Sequence, residues 1–112
     1  MEPLTAIFFS CTRIEMLKQS VQAFLTYNDY PVSEIIIVND SAKKEIHDQL
    51  KKLYPDYTLV LNPVNVGLMS SIDAGYQHIK TNYFFHCEDD WLVSKRGFIS
   101  NSMKIMLGTE GK

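Results

Sequence analysis

Two patterns of hydrophobic residues alternate along the chain. Residues 6–9 form a continuous apolar run of strand length that ends abruptly at the polar Ser10. Between residues 15 and 27, apolar side chains recur at helical offsets and predict an amphipathic helix. Residues 35–38 form the clearest strand, and their lack of alternation indicates that both faces are covered, as in a parallel sheet between helices.

The same alternation continues through the rest of the sequence. Ile46, Leu50 and Leu53 predict a second helix with Ser41 as its N-cap. Residues 58–61 predict a third strand, a third helix follows Gly67, a fourth strand begins at residues 83–85, and a last helix is predicted over residues 98–106. The order βαβαβαβα predicts an α/β fold of three layers with a mainly parallel sheet, in a single domain over residues 1–112.

Composition narrows the class of protein. With 112 residues and 46% hydrophobic residues, the chain has enough apolar material for one folded core, which excludes general disorder. Eleven basic against 13 acidic residues give a net charge of −2, which argues against a general nucleic-acid binder.

The expected compartment follows from what the sequence lacks. The early apolar run is far shorter than the roughly 20 residues of a membrane-spanning helix. Glu2 and Pro3 stand where a secretory signal has basic residues. Cys11 and Cys87 are too few for a disulfide scaffold. We therefore expect no transmembrane segment and a cytoplasmic location, either free or at the cytoplasmic face of the membrane.

Polar residues follow every predicted strand, and ligands of parallel sheets bind beyond these carboxyl ends. The positions after the four strands are Ser10, Cys11, Thr12 and Arg13; Asn39, Asp40 and Ser41; Asn65, Val66 and Gly67; and Glu88, Asp89, Asp90 and Trp91. A ligand site is predicted along this edge.

The three acids after the fourth strand have two interpretations. Glu88, Asp89 and Asp90 repel one another unless a cation compensates them, and oxygen ligands suit Mg²⁺ or Mn²⁺. Such an ion would bridge a diphosphate and neutralise charge on a departing nucleotide. Alternatively, the acids form a solvated turn that caps the next helix.

Three other strand-end residues each have a ligand-binding and a structural interpretation. Asp40 could accept hydrogen bonds from a base or ribose, or it could cap the second helix with Ser41. Arg13 could neutralise phosphate, or it could form a surface ion pair with Glu15. Gly67 could let a phosphate or sugar approach the backbone, or it could serve turn geometry alone.

Four further side chains could have either a functional or a structural role. His86 should point away from Phe85 and Cys87 within its strand, which favours a structural role. Trp91 could stack on a sugar or base, or it could cover the edge of the core. Neither cysteine is assigned a catalytic role.

These strand-end motifs resemble the nucleotide-binding half of family-two glycosyltransferases, which have the GT-A fold. The resemblance covers about residues 5–91 and rests on four segments, namely Ser10-Cys11-Thr12-Arg13, Val38-Asn39-Asp40-Ser41, Asn65-Val66-Gly67-Leu68 with Asp73-Ala74-Gly75, and Glu88-Asp89-Asp90. It implies a truncated GT-A fold in which Asp40 recognises the base. It also implies that Asp89 contacts the ribose or metal and that Asp90 ligates Mn²⁺ or Mg²⁺. Residues 10–13 would line the nucleotide pocket.

The sequence departs from this family's pattern at three positions. Cys11 stands in place of an aromatic residue, Asn39 in place of an acid, and Ile72 where a basic residue often supports the nucleotide.

The resemblance implies an inverting glycosyltransferase that moves a sugar from a nucleotide-diphosphate donor to a hydroxyl acceptor. No catalytic base is assigned, because Glu110 lies in a terminal tail. A non-catalytic nucleotide-sugar-binding or assembly module is the alternative. A receiver-like regulatory domain is disfavoured, because Ser10, Cys11 and Thr12 replace the acids expected after its first strand. The exposed boundary of a truncated sheet predicts self-association into a homo-oligomer.

Overall fold

The computed structural model describes residues 3–28 and 30–88, together with the backbone of residues 104–105. Within these residues the elements are β1 (Leu4–Ser10), α1 (Ile14–Tyr27), β2 (Val32–Asn39), α2 (Lys44–Leu53), β3 (Thr58–Leu61), α3 (Leu68–Tyr76), β4 (Tyr83–Glu88) and β5 (Lys104–Ile105).

The strands form one sheet in the order β3-β2-β1-β4-β5. The first four are parallel, and β5 pairs antiparallel with β4. The predicted α/β class and mainly parallel sheet are confirmed. All seven residues of β1 are buried, which explains its continuous apolar run.

The last predicted helix is wrong where the structure describes it. Lys104 pairs with Phe84 and Ile105 with Tyr83, on the side of β4 away from β1. This pairing satisfies backbone groups that an edge strand would leave open, a tertiary effect that helical spacing cannot anticipate. The other residues of that prediction lie outside the described part of the chain.

Apolar side chains pack on both faces of the sheet. On one face, Phe8 and Ile37 pack with Leu17 and Phe24 of α1 and with Leu50 of α2. On the other face, Ile7, Phe9, Ile36 and Val38 pack with Ile72 and Tyr76 of α3. The alternation of neighbouring β1 residues between these clusters confirms the three-layer arrangement.

Several details of the helices differ from the sequence expectation. Leu25 of the predicted α1 stripe is 50% exposed, because it lies beside the buried Phe24 rather than on the same face. The N-cap of α2 is Lys43 rather than Ser41 or Asp40. Ser41 Oγ instead accepts a hydrogen bond from the Lys43 N–H, which secures the turn before the helix. Among the described residues, no helix has the length and apolar character needed to cross a membrane.

Helix α3 approaches the sheet closely through Gly75. A Cβ at this position would lie 2.8 Å from both Ile7 Cδ1 and Val38 Cγ2. Only a glycine therefore allows α3 to lie this close to β1 and β2.

Candidate functional site

A cleft of about 310 Å³ lies at the carboxyl edge of the sheet, where β1, β2 and β4 end and α3 begins. Its walls are formed by Phe9, Ser10, Cys11, Arg13, Val38, Asp40, Asn65, Gly67, Leu68, Ser71 and Glu88. The fold thus brings six of the predicted site residues to one cavity. Thr12 is exposed next to this lining, and its carbonyl accepts the Ile14 N–H. Asp89, Asp90 and Trp91 lie outside the described residues.

The Asp40 carboxylate is buried against the loop between β3 and α3. Its Oδ1 accepts hydrogen bonds from Asn62 Nδ2 and the Val66 N–H, both at 2.9 Å. Its Oδ2 accepts the Gly67 N–H at 2.8 Å. Asp40 therefore fastens this loop to the end of β2.

The hydrogen bonds determine the charge of Asp40. Burial, the largest single influence, raises the pKa of its carboxyl group, but hydrogen bonds from Val66, Asn62, Gly67 and Ser71 together outweigh burial and lower the pKa below its ordinary value. Asp40 is consequently an anion at neutral pH.

Gly67 has a backbone conformation that side chains disfavour. Its φ is 91° and its ψ is 161°, a region that only glycine adopts readily. Within the described chain, a Cβ on Gly67 would meet no heavy atom within 4 Å. The backbone conformation of the turn therefore explains the glycine, because the space beside its Cα would admit a side chain.

Asn39 forms a hydrogen-bond centre whose importance the sequence did not reveal. Its fully buried side chain donates from Nδ2 to Ser10 Oγ and to the Cys11 carbonyl, both at 2.9 Å. Its Oδ1 accepts from the Ser41 N–H and from Ser41 Oγ. An ionised acid could not donate to the Cys11 carbonyl, so the amide suits this position. Asn39 thereby joins the loops after β1 and β2.

Two further buried polar side chains at the cleft, Asn62 and Ser71, are not among the predicted site residues. Asn62 donates to Ser71 Oγ as well as to Asp40, and both Asn62 and Ser71 are buried. The position of Asn62 directly after β3 is itself a strand-end signal. Asn65 Nδ2 donates to the Asp40 carbonyl at 2.7 Å, which further secures the loop.

Glu88 reaches the cleft from the end of β4. Its Oε2 lies 3.4 Å from His86 Nε2, and His86 Nδ1 lies 2.8 Å from the Tyr76 hydroxyl. The His86 ring lies 4.7 Å from that of Phe9, on the face opposite Phe85 and Cys87, as predicted. Among the described residues, no group of three His, Cys, Asp or Glu side chains could hold a metal ion.

Arg13 and the two cysteines are the remaining residues that the sequence analysis discussed. Arg13 is the N-cap of α1 and lines the cleft, while the Glu15 carboxylate lies 3.3 Å from Lys18 Nζ. Both cysteines are free thiols, with Cys11 partly exposed at the cleft and Cys87 buried.

The wall of the cleft has both apolar and charged surface. It therefore suits a ligand that has a flat apolar part and a charged part. Phe9, Val38 and Leu68 supply apolar surface, whereas Arg13 supplies a cation that can pair with phosphate. The backbone N–H groups of Val66 and Gly67, just before α3, are already bonded to the Asp40 carboxylate.

Solved structures share this fold. The chain aligns with Staphylococcus aureus TarS with a TM-score of 0.70 and 12% identity, over 89% of this chain and 19% of that chain. The TarS 1–349 structure in complex with UDP gives the same TM-score and identity, with 31% of that chain covered. The mannosyltransferase PcManGT from Pyrobaculum calidifontis, in complex with GDP-Man and Mn²⁺, aligns with a TM-score of 0.68 and 14% identity, over 90% of this chain and 31% of that chain.

The chain therefore spans less than a third of the length of these structures, and the likeness supports the GT-A fold. A search of curated proteins finds no significant sequence match. The sequence model of the family described as glycosyl transferase family 2 matches residues 5–106, which is most of the chain. With its GT-A sheet and strand-end cleft, the chain belongs to glycosyl transferase family 2.

Proposed function

We propose that this chain forms the nucleotide-sugar-binding part of a glycosyltransferase that acts with a divalent metal ion. The observation that carries the proposal is the cleft, which gathers Ser10, Arg13, Asp40, Gly67 and Glu88 from four separate segments. The structures with UDP or with GDP-Man and Mn²⁺ support a nucleoside diphosphate as the ligand class.

Asp40 has a double role in this proposal. A carboxylate can accept about four hydrogen bonds, and the loop uses three of these sites on Asp40. The Ser71 hydroxyl is a fourth donor that lowers the pKa of Asp40, so an N–H of the nucleotide base would share a carboxylate oxygen with one of these groups. In this proposal Asp40 holds the loop in place and also accepts a hydrogen bond from the base.

The diphosphate would lie beside Arg13 and Glu88. Arg13 would pair with phosphate oxygens through its guanidinium group. Glu88 supplies a hard oxygen donor of the type that Mg²⁺ and Mn²⁺ prefer, and Asp89 and Asp90 would complete the donor set. When bound, the ion would neutralise charge on the departing diphosphate.

In the proposed transfer, a general base takes the proton of the acceptor hydroxyl, whose oxygen then forms a bond to the anomeric carbon. The bond between that carbon and the diphosphate oxygen breaks, and the nucleoside diphosphate keeps the electron pair. The described residues are assigned to the donor side of this reaction only.

Calorimetric titration of UDP and GDP, with and without Mn²⁺, tests the proposal. We expect metal-dependent binding by the wild type, about tenfold or greater weakening in Asp90→Asn, and no change in the control Asp56→Asn, whose side chain is exposed in the turn before β3. Absence of binding by the wild type would contradict the proposal. Binding without sugar transfer or donor hydrolysis would favour the non-catalytic module.

A further inference from the structure

Tyr76, His86 and Glu88 form a line of side chains that runs from α3 to the cleft. The Tyr76 hydroxyl lies 2.8 Å from His86 Nδ1, and His86 Nε2 lies 3.4 Å from Glu88 Oε2. The His86 side chain is 11% exposed, whereas that of Glu88 is 35% exposed and contributes to the cleft wall. A ligand in the cleft therefore meets Glu88, and His86, which is not part of the cleft wall, contacts the carboxylate of Glu88.

The donor and acceptor groups of the three side chains determine the direction of each hydrogen bond along this line. A carboxylate that has lost its proton only accepts hydrogen bonds, so a hydrogen bond between His86 and Glu88 requires the proton on His86 Nε2. In a neutral imidazole, Nδ1 is then an acceptor, and the Tyr76 O–H must donate to it. Burial, followed by the negative charge of Glu88, raises the pKa of the Tyr76 hydroxyl, which keeps it protonated and able to donate.

The surroundings of His86 hold its ring in place. Phe9 packs against one side at 4.7 Å, and the Tyr76 ring meets it edge-on at 5.9 Å. Tyr76 in turn contacts Phe84 at 4.9 Å. Because Phe9 also lines the cleft, the ring that orients Glu88 is packed against the wall of the same cavity.

We propose that His86, oriented by Tyr76, is a positioning residue that holds the Glu88 carboxylate in place for the nucleotide ligand. The proposal rests on the proposed function and adds two residues outside the cleft lining to its machinery. Partners of this kind fix a carboxylate's orientation before the ligand arrives, which removes an ordering cost from binding.

Two substitutions at His86 separate positioning from packing. His86→Phe keeps an aromatic ring against Phe9 but removes the Nε2 donor. His86→Gln loses the ring but offers an amide N–H at a position similar to Nε2. We expect His86→Phe to weaken Mn²⁺-dependent UDP or GDP binding about tenfold or more, and His86→Gln to stay within about threefold of the wild type. The exposed His78 provides the control His78→Gln, which should bind as the wild type does.

A second readout uses the ligand-free protein. Long-range ¹H–¹⁵N correlation spectra should show His86 as the Nε2–H tautomer, and Tyr76→Phe should increase the Nδ1–H form because the donor to Nδ1 is lost. A wild-type Nδ1–H tautomer would overturn the proposal, as would undiminished binding by a folded His86→Phe protein. If the wild type binds neither nucleotide, it is the proposed function that fails.

Discussion

The negative charge of Asp40 stabilises the fold by an amount that depends on pH. Its folded-state pKa is lowered, so its contribution to stability is present above the unfolded-state pKa of about 3.9 and is lost as the pH falls through the folded-state pKa. In Asp40→Asn, the side-chain NH₂ group would replace an oxygen acceptor and face the N–H group of Val66 or Gly67, which is also a donor. We expect a loss of roughly 2 kcal/mol in the free energy of unfolding at pH 7.

Urea unfolding of both proteins at a series of pH values measures this coupling. The difference between wild type and Asp40→Asn should be constant near neutral pH and should shrink below about pH 5. A difference of equal size at pH 7 and pH 3 would show that the charge of Asp40 does not hold the loop.

The polar centres behind the cleft show what sequence can and cannot predict for single residues. Asp40, Gly67 and Glu88 were found because they directly follow or precede predicted elements. For Asn39 the sequence indicates only a strand-end position and the replacement of an acid, because its hydrogen-bond partner Ser10 lies 29 residues away. Such a partnership depends on which strands are neighbours, and spacing along the chain does not contain that information.

At the scale of elements, α3 depends on the absence of a side chain at Gly75. Gly75→Ala would place a methyl group 2.8 Å from Ile7 Cδ1 and Val38 Cγ2, so α3 must shift away from the sheet. We expect a net loss of about 1–3 kcal/mol, although alanine favours helix formation.

A double-mutant cycle identifies the cause of this loss. Val38→Ala removes one of the two closest methyl groups, so Gly75→Ala should cost less in that background, with a coupling of about 0.5–3 kcal/mol in urea unfolding. Strictly additive effects would mean that the contact between α3 and β2 is not the source of the strain.

The sequence predicts a helix or strand well where the neighbouring residues alone determine its conformation. Continuous apolar runs predicted β1 and β2, and the structure extends both strands by one to three residues at their ends. The last helix was wrong over Lys104 and Ile105, because the free edge of β4 decides the conformation there. A local pattern therefore predicts an element well only when the remainder of the fold does not compete for it.

At the scale of the whole molecule, an exposed apolar patch lies beside the cleft. It comprises Val64, Val66, Leu68 and Met69, with Met69 75% exposed. The predicted self-association is expected to use this patch, since exposed apolar clusters commonly mark interaction surfaces. Met69→Lys should lower the association constant, whereas Leu25→Lys on the distant α1, at a site 50% exposed, should not.

Sedimentation velocity over a range of concentrations measures this association. A wild-type protein that remains monomeric at every concentration would contradict self-association. Equal weakening by both lysine substitutions would contradict the assignment to the patch.

Amide chemical-shift mapping locates the nucleoside diphosphate that the strand-end cleft is proposed to bind. Titration of ¹⁵N-labelled protein with UDP or GDP and Mg²⁺ should perturb the amides of Cys11, Arg13, Gly67 and Glu88 together, because these residues line one cavity. Perturbations centred instead on the groove between Lys18, Gln22 and Tyr54, or none at saturating nucleotide, would contradict nucleotide binding in the cleft.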